Sequence, residues 1–198
     1  MRLIGITGGI ATGKSTVSQI LQEHYDVPVV YVDRLSRMVV EPGSIALDKL
    51  VEVFGADILL PTGSLDRAKL RAITIHDPEK MDAVTEIVWP EIGKQMKRMM
   101  TNFEAIGVKT VCVENAVLIE YGNYELYDEV VVVTCKPEVQ LARVMARDNQ
   151  SEADAKAMID IQMPLDEKEA FATFLIMNNG DLSVLRSQVD ALYEGKIK

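Results

Sequence analysis

Gly8-Gly9-Ile10-Ala11-Thr12-Gly13-Lys14-Ser15-Thr16 is the stretch on which the reading of this chain turns. It fits G-x-x-x-x-G-K-[ST] at every fixed position. The glycines permit backbone conformations closed to residues with a side chain, so successive N–H groups can turn inward toward phosphate oxygens. The flanks agree with that use. Residues 3–7 form a short apolar run that reads as a buried strand, and from Lys14 onward Val17, Ile20 and Leu21 recur at helical spacing. A helix starting at the loop adds the positive partial charge of its N-terminus to the same anion. In such a loop Lys14 bridges the β- and γ-phosphates of a nucleotide, and the Ser15 hydroxyl holds Mg²⁺. The loop alone does not choose among ATPase, GTPase and kinase, but the guanine-reading N-K-x-D pattern is absent.

Working outward, apolar β-branched runs recur at 27–32, 108–114 and 129–134, with a weaker one at 174–177. Helical segments separate them, and residues 181–192 read as a closing helix after Gly180. Strands that alternate with helices and lack polar alternation indicate an α/β fold, a doubly wound parallel sheet covered on both faces. Residues 65–105 interrupt that order with helical composition, in pieces bounded by Asp77-Pro78 and Trp89-Pro90. They read as a helical insertion, suited to enclosing a small acceptor, between segments 1–64 and 106–198 of a nucleotide-binding core.

Composition narrows the partners. The chain has 198 residues and a formal net charge of -9, which argues against a general nucleic-acid surface. No apolar run approaches the roughly 18 residues of a membrane span, and glycines break the N-terminal apolar stretch before a signal core develops. Cys112 and Cys135 lie in or beside apolar runs and read as unbridged core residues, so a reducing, cytoplasmic setting is expected.

Asp33 follows the second apolar run. At the carboxyl end of a strand near the phosphate loop, a carboxylate can take the proton of an attacking hydroxyl. Asp is also a preferred cap for the helix that follows, and position alone leaves both readings open. Arg143 and Arg147 are spaced to share one helix face, as solvated surface or as phosphate contacts.

Taken together, these residues resemble the dephospho-coenzyme A kinase family. The likeness begins with Gly5-Ile6-Thr7-Gly8-Gly9-Ile10 and the phosphate loop, and continues through Asp33-Arg34-Leu35-Ser36-Arg37 and Gly63-Ser64-Leu65-Asp66-Arg67. It runs on through Gln140-Leu141-Ala142-Arg143, Arg147 and Gln162-Met163-Pro164 to Asn178 and Gly180. The resemblance implies a P-loop core, a helical substrate domain and a mobile lid near 145–165. It implies transfer of the ATP γ-phosphate to the ribose 3′-hydroxyl of dephospho-coenzyme A, the last step of coenzyme A synthesis. On it, Asp33 is the catalytic base, Arg143 and Arg147 approach the ATP phosphates, and Asn178 lies near adenine. Arg37, Arg67 and Gln162 belong on the acceptor side. Tyr31, Trp89, Ala116, Met158 and Met177 depart from the family's usual residues. Two other readings stand beside this one: another small-metabolite P-loop kinase, and a nucleotide-binding regulator without catalysis. The joint presence of Lys14, Ser15 and Asp33 separates the kinases from the regulator, which needs no base.

Overall fold

The structure, a computed structural model, describes residues 1–198. Five strands form one parallel sheet: β1 (Arg2–Gly8), β2 (Val29–Tyr31), β3 (Thr110–Glu114), β4 (Glu129–Thr134) and β5 (Phe174–Met177), in the order β2-β3-β1-β4-β5. The register pairs Ile6 with Glu114 of β3 and with Val131 of β4. Alternate residues of these strands serve two separate cores. Ile4, Ile6, Val131 and Val133 pack with Val17 and Leu21 of α1 (Lys14–Tyr25) and with Leu185 and Val189 of α9 (Leu182–Leu192). Val130 and Val132 pack on the opposite face with Leu118 and Ile119. Cover on both faces is why the strands read as unbroken apolar runs. Burying each of these Val or Leu side chains is worth about 1.5–3 kcal/mol relative to exposure.

The remaining helices of this unit follow β4. They are α6 (Pro137–Asp148), α7 (Glu152–Asp160) and α8 (Leu165–Glu169), the last leading into β5. Lys168 of α8 is fully buried; its ammonium pairs with Glu120 at 2.7 Å and donates to the Ala116 carbonyl at 2.8 Å. That pairing offsets the cost of taking a charge out of water and pins α8 to the segment after β3.

The chain divides into two compact units, Met1–Tyr31 with Val108–Lys198, and Val32–Gly107. The second is larger than the expected insertion at 65–105, because the helices after β2 belong to it. It comprises α2 (Val32–Met38), α3 (Ile45–Phe54), α4 (Arg67–Thr74) and α5 (Pro78–Ala105), and α5 packs against the other three. Two details correct the sequence reading. The second strand is only Val29–Tyr31, with the chain turning into helix at Val32. And Pro90 does not end a helix: α5 runs through it for 28 residues. A proline ring removes one intrahelical bond and crowds the preceding turn, but Pro90 is exposed, so water can satisfy the freed carbonyl. Pro78, by contrast, occupies the first turn behind the Asp77 cap, where its missing N–H costs nothing. No helix is long and apolar enough to cross a membrane. Cys112 and Cys135 are both free thiols and buried; burial alone pushes the Cys112 thiol up to about 12.

Candidate active site

The phosphate loop leaves β1 at Gly8 and enters α1 through Gly13. Both glycines have positive φ, 144° and 97°, and a Cβ at Gly8 would drive into the Val133 carbonyl. Gly13 caps α1 without a side-chain hydrogen bond, so the first amides of α1 have no capping side chain. Between the glycines, Ala11 holds φ 57°, a left-handed conformation that is costly for any residue with a side chain. The Lys14 ammonium curls back to the Gly8 and Gly9 carbonyls at 3.0 and 2.7 Å. The Thr12 hydroxyl donates to Gly9 O at 2.9 Å.

Side chains from elsewhere in the same unit hold the outside of the loop. The Asn178 amide donates to Thr12 O at 2.8 Å, while its own backbone N–H donates to Thr134 O at 2.8 Å. Asn178 is buried, and the approach is so close that a Cβ on Gly13 would collide with its amide nitrogen. Arg143 donates through Nη1 to the Asn178 carbonyl at 3.0 Å and through Nη2 to its Oδ1 at 3.3 Å. The structure thus brings Arg143 and Asn178 together at the loop. Arg147 does not join them: its guanidinium pairs in two-pronged fashion with Asp148 at 2.8 and 2.7 Å. Gln162, expected on the acceptor side, instead accepts from the Ile10 N–H at 2.7 Å, and Gln140 donates to the Ile10 carbonyl at 3.0 Å. Beside Gly9 opens a cleft of about 570 Å³, lined among others by Cys135, Gln140, Gln162 and Leu165.

Glu114 is the residue the sequence reading passed over. It ends β3, and its Oε1 accepts the Ser15 hydroxyl at 2.8 Å. Its Oε2 is buried without a hydrogen-bond partner. A buried carboxylate oxygen left open is costly unless a cation or water meets it. The signal was present, since an acid closes an otherwise apolar strand beside the loop strand.

In the helical unit, Asp33 is exposed in the first turn of α2 rather than at its cap position, so the capping alternative falls away. Arg67 starts α4 behind the Asp66 cap and donates through Nη2 to Ser36 O at 3.0 Å. Its pKa is lowered, first by burial and then by the positive charge of Arg37, with Asp33 acting the other way. Those couplings bring Asp33, Arg37 and Arg67 into one group. Two neighbouring guanidiniums repel each other, so an anion there is stabilised by both.

A parallel sheet with this strand order, a complete phosphate loop, and a loop-facing Ser15–Glu114 pair mark a phosphate-transfer protein. Comparison with known proteins then decides the family, because the profile of dephospho-CoA kinases matches residues 2–183. The chain belongs to the dephospho-CoA kinase family. The dephospho-CoA kinase of Bacillus anthracis is 41% identical over 190 residues, covering 96% of this chain and 94% of that protein. A crystal structure from Thermus thermophilus superposes with a TM-score of 0.87 at 29% identity, over 100% of this chain and 98% of the other. The dephospho-CoA kinase of Campylobacter jejuni gives a TM-score of 0.72 at 26% identity, covering 98% and 96%. Membership in the dephospho-CoA kinase family implies the use of ATP.

Proposed function

We infer that the chain is the enzyme that phosphorylates the ribose 3′-hydroxyl of dephospho-CoA, the final step of coenzyme A synthesis. The observation that carries this is the complete loop with its Ser15–Glu114 pair in a chain of that family. The triphosphate of ATP lies on the loop amides and on the start of α1. Lys14 exchanges the Gly8 and Gly9 carbonyls for phosphate oxygens, so its charge meets the transferring group. Arg143, already at the loop, adds positive charge, and Asn178 borders the adenine. Arg147 must leave Asp148 to reach the phosphates. Asp33, two residues beyond β2, takes the proton of the 3′-hydroxyl. Arg37 and Arg67 hold anionic groups of the acceptor, so binding energy remote from the reacting atoms orients the ribose. The segments 65–105 and 145–165 each move on ligand binding, since the γ-phosphate must be kept from water.

The donor set of Ser15 and Glu114 fits Mg²⁺. That ion keeps most of its waters and takes one or two carboxylates with substrate phosphates, and the open Glu114 Oε2 suits it. Bound there, it would neutralise charge on the β- and γ-phosphates. The net charge of -9 gives no reason to expect nucleic acid as a partner, and the two free thiols fit a cytoplasmic location.

The test is ADP release with dephospho-CoA, compared with adenosine, shikimate and gluconate. A strong preference in kcat/KM for dephospho-CoA is expected. A comparable value for a simple sugar acid overturns the acceptor assignment.

A further inference from the structure

The two bonds at Ile10 fall on two successive peptide planes. Its N–H belongs to the Gly9–Ile10 peptide and bonds Gln162 Oε1 at 2.7 Å; its carbonyl belongs to the Ile10–Ala11 peptide and accepts from Gln140 Nε2 at 3.0 Å. Gln140 is 4% exposed, on the buried side of α6, and Gln162 lies in the connector between α7 and α8. The outer half of the loop has no helix to hold it, and the next residue, Ala11, sits at φ 57°. A non-glycine residue keeps that conformation only where its surroundings over-determine it. Downstream, Thr12 O is fixed by Asn178 at 2.8 Å. Ala11 is therefore stretched between two anchored points.

We propose that Gln140 and Gln162 are positioning residues that clamp the Gly9–Ile10–Ala11 peptides and so set the loop geometry in which ATP is bound and its γ-phosphate presented. They touch the loop backbone rather than the substrate and act through it. Ile10 N–H is taken by Gln162 and Thr12 N–H by the Gly9 carbonyl at 3.4 Å, so the clamp sets the direction of the loop amides that follow it. It also ties α6 and the α7–α8 connector to the nucleotide loop by one hydrogen bond each. Gly9 is part of the same device: a Cβ there would stand 2.6 Å from Gln140 Nε2 and 3.0 Å from Leu165 Cδ2, so a side chain would displace the Gln140 amide that holds the Ile10 carbonyl. The proposal rests on the kinase reading for its activity readout but not for its binding readout.

The experiment compares Gln140→Met, Gln162→Met and the double variant with Gln188→Met. Gln188 holds the backbone of Met177 in the same two-handed way, accepting from its N–H at 2.9 Å and donating to its carbonyl at 3.0 Å, on the edge strand β5. It serves as the control for loss of such a pair without a role at the loop. Each clamp variant is expected to weaken ATP binding by calorimetry, and to lower kcat with dephospho-CoA, by roughly 2- to 10-fold. The double variant is expected to fall short of the product of the singles, because both act on the same peptides. Gln188→Met is expected to lower the melting temperature without changing ATP affinity or kcat. Calorimetry needs no acceptor, so a wrong acceptor leaves it informative. Folded Gln162→Met with ATP affinity and kcat equal to wild type overturns the proposal. That variant alone decides if Gln140→Met does not fold, since Gln162 is only partly buried.

Discussion

The phosphate loop and the Asp33–Arg37–Arg67 group are built in opposite ways. Around the loop, buried or partly buried side chains from α6, the α7–α8 connector and the residue after β5 meet backbone groups at hydrogen-bond distance, and at Gly8 and Gly13, both of positive φ, an added Cβ would collide with its surroundings. In the helical unit the charged groups Asp33, Arg37 and Arg67 are exposed, and the bond from Arg67 to Ser36 O at 3.0 Å holds one of them. The difference teaches where rigidity is spent. Phosphate is small and is read by amides whose directions must be preset, whereas any large ligand can be held by several separated contacts that adjust as it binds.

This contrast can be broken in measurable ways. Asp33→Asn, in the helical unit, should lower kcat by about 10²–10⁴-fold while ATP affinity stays at its wild-type value, because an amide keeps the shape but takes no proton. Normal turnover of that variant would falsify the base assignment. Lys14→Ala, on the preset side, should cost about 10²–10³-fold in kcat and also weaken ATP binding, with the circular dichroism spectrum unchanged. Turnover near wild type in the folded variant would sink the role of the loop.

Arg67→Met sharpens the comparison. It should raise KM for dephospho-CoA by roughly 10- to 100-fold, the loss of a charge-assisted contact, with KM for ATP unmoved. An equal rise in both would show that the two groups are not separate in function. The smallest effect is expected at Ala11→Gly. Relief of the left-handed strain is worth about 1–2 kcal/mol, partly cancelled by about 0.4–1 kcal/mol of extra freedom in the unfolded chain. A rise in melting temperature of about 1–4 °C should follow. A fall would mean that the side chain of Ala11 makes contacts worth more than the strain.

The sheet and the loop were legible because they obey local rules. Strand β4 falls where its apolar run stands, Glu129–Thr134, since a doubly covered strand must be apolar throughout; β5 also matches its run, Phe174–Met177, although Leu175 and Met177 are exposed at the sheet edge. The loop motif is local as well, with its glycines, lysine and hydroxyl in nine consecutive residues. Where local rules compete, the sequence was ambiguous. Pro90 signals a break, yet α5 passes through it because that turn faces water.

What the sequence by itself determined was the parallel α/β core, the phosphate loop with Lys14 and Ser15, and a helical segment between the second and third strands. Only the tertiary structure decided that the helical unit begins at Val32, that Glu114 meets Ser15, and that Gln140, Gln162 and Asn178 grip the loop backbone. The reason is separation along the chain. Glu114 is 99 residues from Ser15, and Gln162 is 152 from Ile10, so no spacing rule links them. Their meeting depends on β1 lying between β3 and β4, which is a property of the sheet and of no single segment.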